Sequence, residues 1–438
     1  MTKRPRNMPR ARTGRARLAA AISVVGLFAG AAQVAAQDIR VWSGYPELEP
    51  FYLHVAEGMK ADHPDLNVTV EAINLRDHER RVALGLTSGE AAEVIEMASA
   101  LAPRYLENEL FNAAPDAVAT FVSDPANYGE FFRDGASFGG SVYGVPMFRG
   151  QSALYYNTDM LAAAGLDGPP ATMADYDTYA AALTQRGDGS DPTVSGWSLR
   201  FSGGGAGITE KFTINMFQHG GTFLEESEDG KWRAAFADEA GRKTLQQYLN
   251  ALYGDETVTV SMPADAEAFE REQTAMFIRE SWVIGDIAAK SPDLAYATAT
   301  LPEGSIVSQV NLYITGEGDA EQAAWDFALA AQEPENQLWL LDNVGWLPNR
   351  LGLDFSDIVA RKPAFEAFVN LPEDYGFFTN PAVGPVEEIM ARFAAQLERA
   401  FADPSLLGDD AAIDAFLEGA AEEINGILAR DDLLADET

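Results

Sequence analysis

The stretch "SVYGVPMFRGQSALYYNTDM" spans residues 141–160, and its reading decides the fold. Tyr143, Gly144 and Pro146 read as a turn or bend, because glycine and proline punctuate the backbone. Ser152-Ala153-Leu154-Tyr155-Tyr156 reads as a short buried strand, a brief apolar run with aromatic residues. Asn157 offers a side-chain acceptor for a helix N-terminus, and Met160 to Ala164 before Gly165 reads as a short helix. Arg149, Gly150 and Gln151 sit between bend and strand, polar or small in an otherwise apolar run. An arginine and a glutamine at that point call for a reason.

Outward from this stretch, strands alternate with helices. Ile39 to Ser43 reads as a strand, Leu48 to Met59 as a helix, Leu66 to Val70 as a strand and Asp77 to Thr87 as a helix. Val94 to Met97 reads as a strand and Ala102 to Glu109 as a helix. The alternation predicts a mostly parallel sheet with helices on both faces. Further helices are expected at 174–185, 209–219, 238–253 and 281–289, and strands at 294–302 and 307–315. "FLEESEDGKWRAAF" (223–236) reads as a hairpin turning at Asp229-Gly230. Val386, Ile389, Met390, Phe393, Leu397 and Phe401 recur at helical spacing, as do Ile413, Phe416, Leu417, Ile424 and Leu428. Both stripes read as core. A length of 438 residues suits two cores rather than one.

The amino terminus reads as a secretory signal peptide over residues 1–36. Seven bases with no acid precede the small apolar run Leu18 to Ala32, and Val34-Ala35-Ala36 supplies a small-x-small cleavage site. The chain has no cysteine, so neither a disulfide nor a lipidated cysteine is available. These features imply a soluble, unlipidated protein of a bacterial periplasm. Beyond residue 37 only 24 of the 31 bases remain against 67 acids. No basic stripe survives to follow a phosphate backbone, so nucleic acid is not a partner. Such charge favours a soluble monomer but strains the compact state by self-repulsion.

Constellations for catalysis are missing. There is no cysteine nucleophile, no G-x-S-x-G, and "DHERR" (77–81) lacks the second histidine of a zinc motif. "DGSDP" (188–192) reads as a turn rather than a calcium loop. The glycine-rich "SGGGAGITEKF" (202–212), with Gly204 at its centre, reads either as a surface loop or as one whose backbone approaches a ligand closely. It has no Gly-Lys-Ser/Thr ending for a nucleotide. No metal or cofactor is implied. What remains is aromatic and amide equipment: Trp42 in "VWSG", Trp282 in "RESW" and Trp346 in "VGWLPNR" stand beside polar residues at element ends. Tryptophan covers the apolar face of a sugar ring while Arg, Asn, Gln and acids meet its hydroxyls. Trp42-Ser43 and Glu96 to Ser99 lie at carboxyl ends of strands, where open α/β sheets bind ligands.

These residues resemble a family. "GGSVYGVPMFRGQSALYYNTDMLAAAGL" (139–166) is similar to the signature of family 1 extracellular solute-binding proteins, the sugar-binding subunits of ABC importers. "VTVEAINLRDHERRVALGLTSGEAAEVIEM" (68–97), "FEREQTAMFIRESWVIGDI" (269–287) and "AAWDFALAAQEPENQLWLLDNVGWLPNR" (323–350) resemble further family segments in the right order. Ala92-Glu93-Val94 replaces the usual Pro-Asp-Val, and Gln273 and Glu280 stand where glycine or another residue is common. The resemblance implies a two-lobed α/β periplasmic binding protein fold with a three-crossing hinge. Lobe I would hold 38–148 plus 306–347, and lobe II 149–305 plus 348–438. It implies crossings near 148–151, 303–307 and 346–350, with Arg149, Gly150 and Gln151 on the cleft floor. It implies no catalysis, capture of a carbohydrate, and delivery to transmembrane permease subunits. Expected ligand-binding residues are Trp42, Ser43, Arg76, Glu96, Ser99, Arg149, Gln151, Gly204, Arg279, Trp282, Asn311, Trp346 and Arg350. Arg76, Arg149, Arg279 and Arg350 leave open an acidic or sulfonated sugar, because a guanidinium grips such anions in two parallel hydrogen bonds. The transport role also admits a polyamine, metal or phosphodiester ligand. A secreted glycoside-processing enzyme is the competing reading from a different functional class.

Overall fold

The computed structural model describes residues 37–189, 191–202, 205–263, 265–372 and 375–436. The signal-peptide expectation (1–36) and Gly204 lie outside the described residues.

β1 (Gln37–Ser43), α1 (Glu49–Met59), β2 (Leu66–Ala72), α2 (Leu75–Ser88) and β3 (Val94–Ala98) follow in order. β1 pairs in parallel with β2 on one side and β3 on the other. The alternation of β1 sorts its side chains. Ile39 and Val41 enter a core that also takes Phe51, Tyr52 and Val55 of α1, while Trp42 enters one under α2 with Val82 and Leu86. α2 stops at Gly89, whose φ of 74° suits glycine, and whose N–H bonds the Gly85 carbonyl.

The decisive stretch differs from its sequence reading. Gly144–Asn157 is one continuous strand of 14 residues. Tyr143 to Pro146 is therefore no bend before a separate strand. Pro146 sits instead at a bulge: Phe148 opposes Val310, Pro146 opposes Asn311, and the ladder shifts between them. A proline without an N–H is tolerated where the ladder is already broken. Asn157 does cap the following helix, accepting from Met160 N at 2.9 Å.

This strand joins two neighbourhoods. Its residues 144–151 pair with Gly304–Ile314, and its residues 152–157 pair with Met276–Glu280 and Tyr296–Ala299. Gly304–Ile314 also pairs with β3 and, through its first residues, with Gly376–Phe378. Leu347–Pro348 meets Arg149 and Phe148. The main sheet is mixed rather than mostly parallel. Among the described residues its parallel pairs are β1 with its two neighbours and Gly304–Ile314 with Gly376–Phe378, while Gly144–Asn157 and Gly304–Ile314 are antiparallel to each other. The helix expected at 102–109 is cut to Pro103–Leu106. Glu109 takes a left-handed φ of 54°, which no helix can continue.

Apolar packing follows the same division. Residues from 39–148 and 307–346 build two clusters, on opposite faces of β1. Residues from 153–306 and 341–428 build the other two. Both stripes read as core pack into the core, with Phe416 only partly buried. Ile389, Phe393 and Leu397 of the helix Val386–Phe401, and Ile413, Leu417 and Ile424 of Asp410–Arg430, are fully buried together. Each such side chain contributes about 1.5–3 kcal/mol by leaving water.

Candidate functional site

The chain runs from β1 to β2 on one side and returns past β1 to β3 on the other. Such a reversal opens a crevice at the carboxyl ends of the two strands that part. A cavity of about 140 Å³ lies there. Tyr45, Arg76, Glu79, Ser99 and Arg104 form one wall, and Ala206, Glu210, Asn380, Glu387 and Met390 the other. Ser308 and Gln309 of the strand Gly304–Ile314 join them.

Glu96 closes the crevice from below. It is 1% exposed. It accepts from Ser43 Oγ at 3.0 Å, from Gly44 N at 3.1 Å and from the Tyr52 hydroxyl. Burial pushes its carboxyl up to about 7, although those three donors pull the other way. His78, buried on α2, donates from Nε2 to the Glu96 carbonyl at 2.7 Å.

Beside the cavity stands an aromatic group. Tyr45 meets Trp346 at 5.1 Å and Phe148 at 5.4 Å between ring centroids, edge to face. Trp346 Nε1 donates to Glu47 at 3.2 Å. Gly150 faces this group: a Cβ there would lie 3.4 Å from Trp346 Cζ3, 3.5 Å from Glu280 Cγ and 3.7 Å from Ser308 Cβ. Glu280 in turn accepts from Trp282 Nε1 at 3.3 Å and pairs with Arg279 at 3.0 Å. Burial alone would raise the Glu280 pKa, but the Arg279 and Lys211 charges hold it below the usual carboxylate range. For Glu210 burial wins and the shift is upward, despite Lys211 beside it.

Of the expected ligand residues, Arg76, Glu96 and Ser99 line the cavity, and Ser43 sits just behind Glu96. Trp346, Trp282 and Arg279 gather around Glu280 and Gly150 instead. Arg279 is also tied to Asp265 at 3.0 Å and lies 5.4 Å from the Trp282 ring. Trp42, Arg149, Gln151, Asn311 and Arg350 have partners within the protein. Trp42 is buried under α2, with the Arg81 guanidinium 3.9 Å from its ring centroid. Its place in β1 turns it to the sheet face away from α1, and it does not line the cavity. Arg149 donates to Gln151 Oε1 at 2.9 Å and to the Pro348 carbonyl. Desolvation lowers its pKa to about 10. Gln151 is fully buried. Asn311, also buried, donates to the Gly135 carbonyl at 2.8 Å and accepts from Gln309 at 2.9 Å. Arg350 donates to the Gln332 carbonyl and to Asn127 Oδ1.

Sequence reasoning missed Tyr45, Glu79, Arg104, Glu210, Asn380 and Glu387. Two carried a signal. Tyr45 follows the strand-ending "WSG" by one residue, and Glu210 stands in the first turns after the glycine-rich stretch. Glu387 had none, because its helix announces only its buried stripe.

A larger cavity, about 750 Å³, lies between Tyr296–Ala299, the end of the helix Pro334–Asn343 and the turn at Lys362-Pro363. No strand of the β1–β3 group ends there. Its Arg361 and Lys362 both pair with Asp342. Volume alone does not make it the site.

Shared strands between two sets of cores, with a crevice at the strand ends, define a two-lobed solute-binding architecture. The sequence model for "Bacterial extracellular solute-binding protein" matches residues 55–367, and the chain belongs to that family. It is similar to a binding protein of Brucella abortus (strain 2308), 19% identical over 295 residues, 67% of this chain and 69% of the relative. Its fold is similar to that of the sugar-binding protein MalE from Xanthomonas citri. The TM-score is 0.74 at 20% identity, over 90% of this chain and 98% of the other. It is also similar to UgpB from Mycobacterium tuberculosis in complex with glycerophosphocholine, with a TM-score of 0.73 at 19% identity, over 90% and 99% of the two chains. No helix among the described residues is long and apolar enough to cross a membrane.

Proposed function

We propose that this chain is the periplasmic substrate-binding subunit of an ABC importer. It captures a sugar between two lobes, 38–148 plus 306–347 and 149–305 plus 348–438, and presents the closed form to membrane permease subunits. It acts as a monomer and breaks no bond. The observation that carries this reading is the cavity at the β1 and β3 ends, whose walls come from residues on both sides of the shared strands. The passages near 148–151, 303–307 and 346–350 serve as the hinge, since a few strand residues can bend without unfolding either core. At about 140 Å³ the cavity is smaller than the ~300–1,000 Å³ of drug-sized sites. The walls therefore part to admit anything as large as a disaccharide.

The ligand is a neutral sugar. An acidic sugar is the weaker variant, because Arg149, Arg279 and Arg350 already have partners and Arg76, the one of the four that lines the cavity, is paired with Glu79 at 2.7 Å. A cationic ligand such as a polyamine is the second reading. Glu79, Glu96, Glu210 and Glu387 line the cavity against Arg76 and Arg104.

Thermal-shift screening with neutral sugars, uronates, polyamines and glycerophosphodiesters tests the ligand class, and small-angle scattering tests closure. A neutral sugar is expected to raise the melting temperature and contract the particle, and to be recovered unhydrolysed. If no solute of any class does so, the reading fails.

A further inference from the structure

Three donors from three elements converge on one buried carboxyl. The Ser43 hydroxyl ends β1, the Gly44 N–H forms the corner after it, and the Tyr52 hydroxyl belongs to α1. Ser43 Oγ also accepts from Tyr45 N at 3.1 Å, so the hold on Glu96 extends to the next residue. On its other side the corner is tightly packed: a Cβ on Gly44 would stand 2.9 Å from Leu75 Cδ1 and 3.1 Å from His78 Cδ2. Tyr45, which this corner carries into the cavity, leans on Trp346 and Phe148.

A buried carboxylate is an expensive way to hold a turn, since removing an ion from water costs several kcal/mol. What it gives in return is strength. Hydrogen bonds to an ionised acceptor are roughly twice as strong as neutral ones. We propose that Glu96 is a positioning residue that fixes Tyr45 against the Trp346 and Phe148 rings, and that its grip tightens when its carboxyl ionises. This rests on the cavity being the solute site. The groups facing the Glu96 side chain are the Tyr52 hydroxyl from α1 and Tyr45 and Glu47 from the segment after β1. Glu79 and His78 approach from α2, His78 through the Glu96 carbonyl. Its raised pKa puts the change of grip near neutrality.

The test compares the protein with its Glu96→Gln and Glu96→Ala variants at about pH 5.5 and about pH 8, on either side of the titration. Amide hydrogen exchange is read at Gly44 and Tyr45, corrected for the intrinsic rate, and maltose binding is read by calorimetry. In the wild type, Gly44 protection is expected to be about tenfold higher at the upper pH. Glu96→Gln still accepts from Gly44 but carries no charge, so it should match the wild type's acid-side value at both pH values. Glu96→Ala should lose Gly44 protection and bind maltose at least about tenfold more weakly while circular dichroism shows a folded chain. A merely structural role would not give Gln a flat pH profile. If Glu96→Gln follows the wild-type profile, or Glu96→Ala leaves Gly44 protection intact, the proposal is overturned. Failure of the wild type to bind maltose counts against a maltose-like ligand, and the exchange data then decide the role of Glu96 alone.

Discussion

Arg104 and Glu387 stand on opposite walls of the cavity, 3.8 Å apart between guanidinium nitrogen and carboxylate oxygen. Their side chains are 40% and 51% exposed. Exposed pairs contribute about 0–1 kcal/mol and are screened by salt. In the proposed cycle this contact forms as the walls meet. Arg104→Ala or Glu387→Gln is therefore expected to speed release of a bound sugar by no more than about fivefold at low salt. Near 1 M sodium chloride the difference should vanish. Stopped-flow fluorescence measures it, and a hundredfold effect would mean that these residues touch the solute directly.

Trp42 and Tyr45 are three residues apart and should fail in different ways. Trp42→Ala empties a core position under α2 and is expected to cost about 3–5 kcal/mol of stability. Affinity per folded molecule should hardly change. Tyr45→Ala removes a half-buried ring from the cavity, and should cost sugar affinity about tenfold while lowering stability by only about 1–2 kcal/mol, from its contacts with Trp346 and Phe148. Urea titration and calorimetry on both variants separate the two. The opposite pattern would move the site to the other face of the sheet.

Stability against pH follows from Glu96. Its ordinary value is 4.5 and its folded value about 7, so the folded state favours the neutral carboxyl. Below about 4.5 both states are protonated and nothing is lost. Between 4.5 and 7 the unfolded chain ionises first and stability falls, levelling off above 7 at a cost of about 3 kcal/mol. Relative to the wild type, Glu96→Gln should gain about that much between acid and neutral pH. The local grip on Gly44 still tightens over this range, because the cost lies in desolvation and the grip in charge. Denaturant midpoints across the range check the sign, and a constant difference would refute it.

Net charge gives a fourth expectation. With 24 bases against 67 acids beyond residue 37, self-repulsion is long-ranged at low salt. Screening within a Debye length of ~10 Å at 0.1 M should raise the melting temperature as sodium chloride is added. A melting temperature flat to 1 M would show that the acids repel one another too weakly to matter.

Most elements were legible because hydrophobic period and caps are local signals. Asn157, the stripes of the last two helices and the hairpin at Gly230 all formed as their neighbours dictate. Pro146 misled, because a proline in a bulge looks the same in sequence as a proline in a bend. The site was only half legible. Glu96 stood out at the end of a strand, but whether Trp42 or Tyr45 faces solvent depends on which face of β1 meets α2, a tertiary fact. Arg149 and Arg350 show a related limit: a base near a proposed cleft looks available until its partner, such as the Pro348 carbonyl for Arg149, is brought in from 199 residues away, whereas Arg76 does line the cavity.

The strand Gly144–Asn157 has a consequence for synthesis. The core built from residues 39–148 also needs Val307, Leu312, Trp325 and Trp346, and the ladder beside residues 144–151 needs Gly304–Ile314. Closing so long a loop is slow, and nothing rewards it until the late residues exist. The amino-terminal third made first therefore waits, unfinished, until some three-quarters of the chain has been translated. A polypeptide that stays unfolded for that long is one that a translocation channel can still thread.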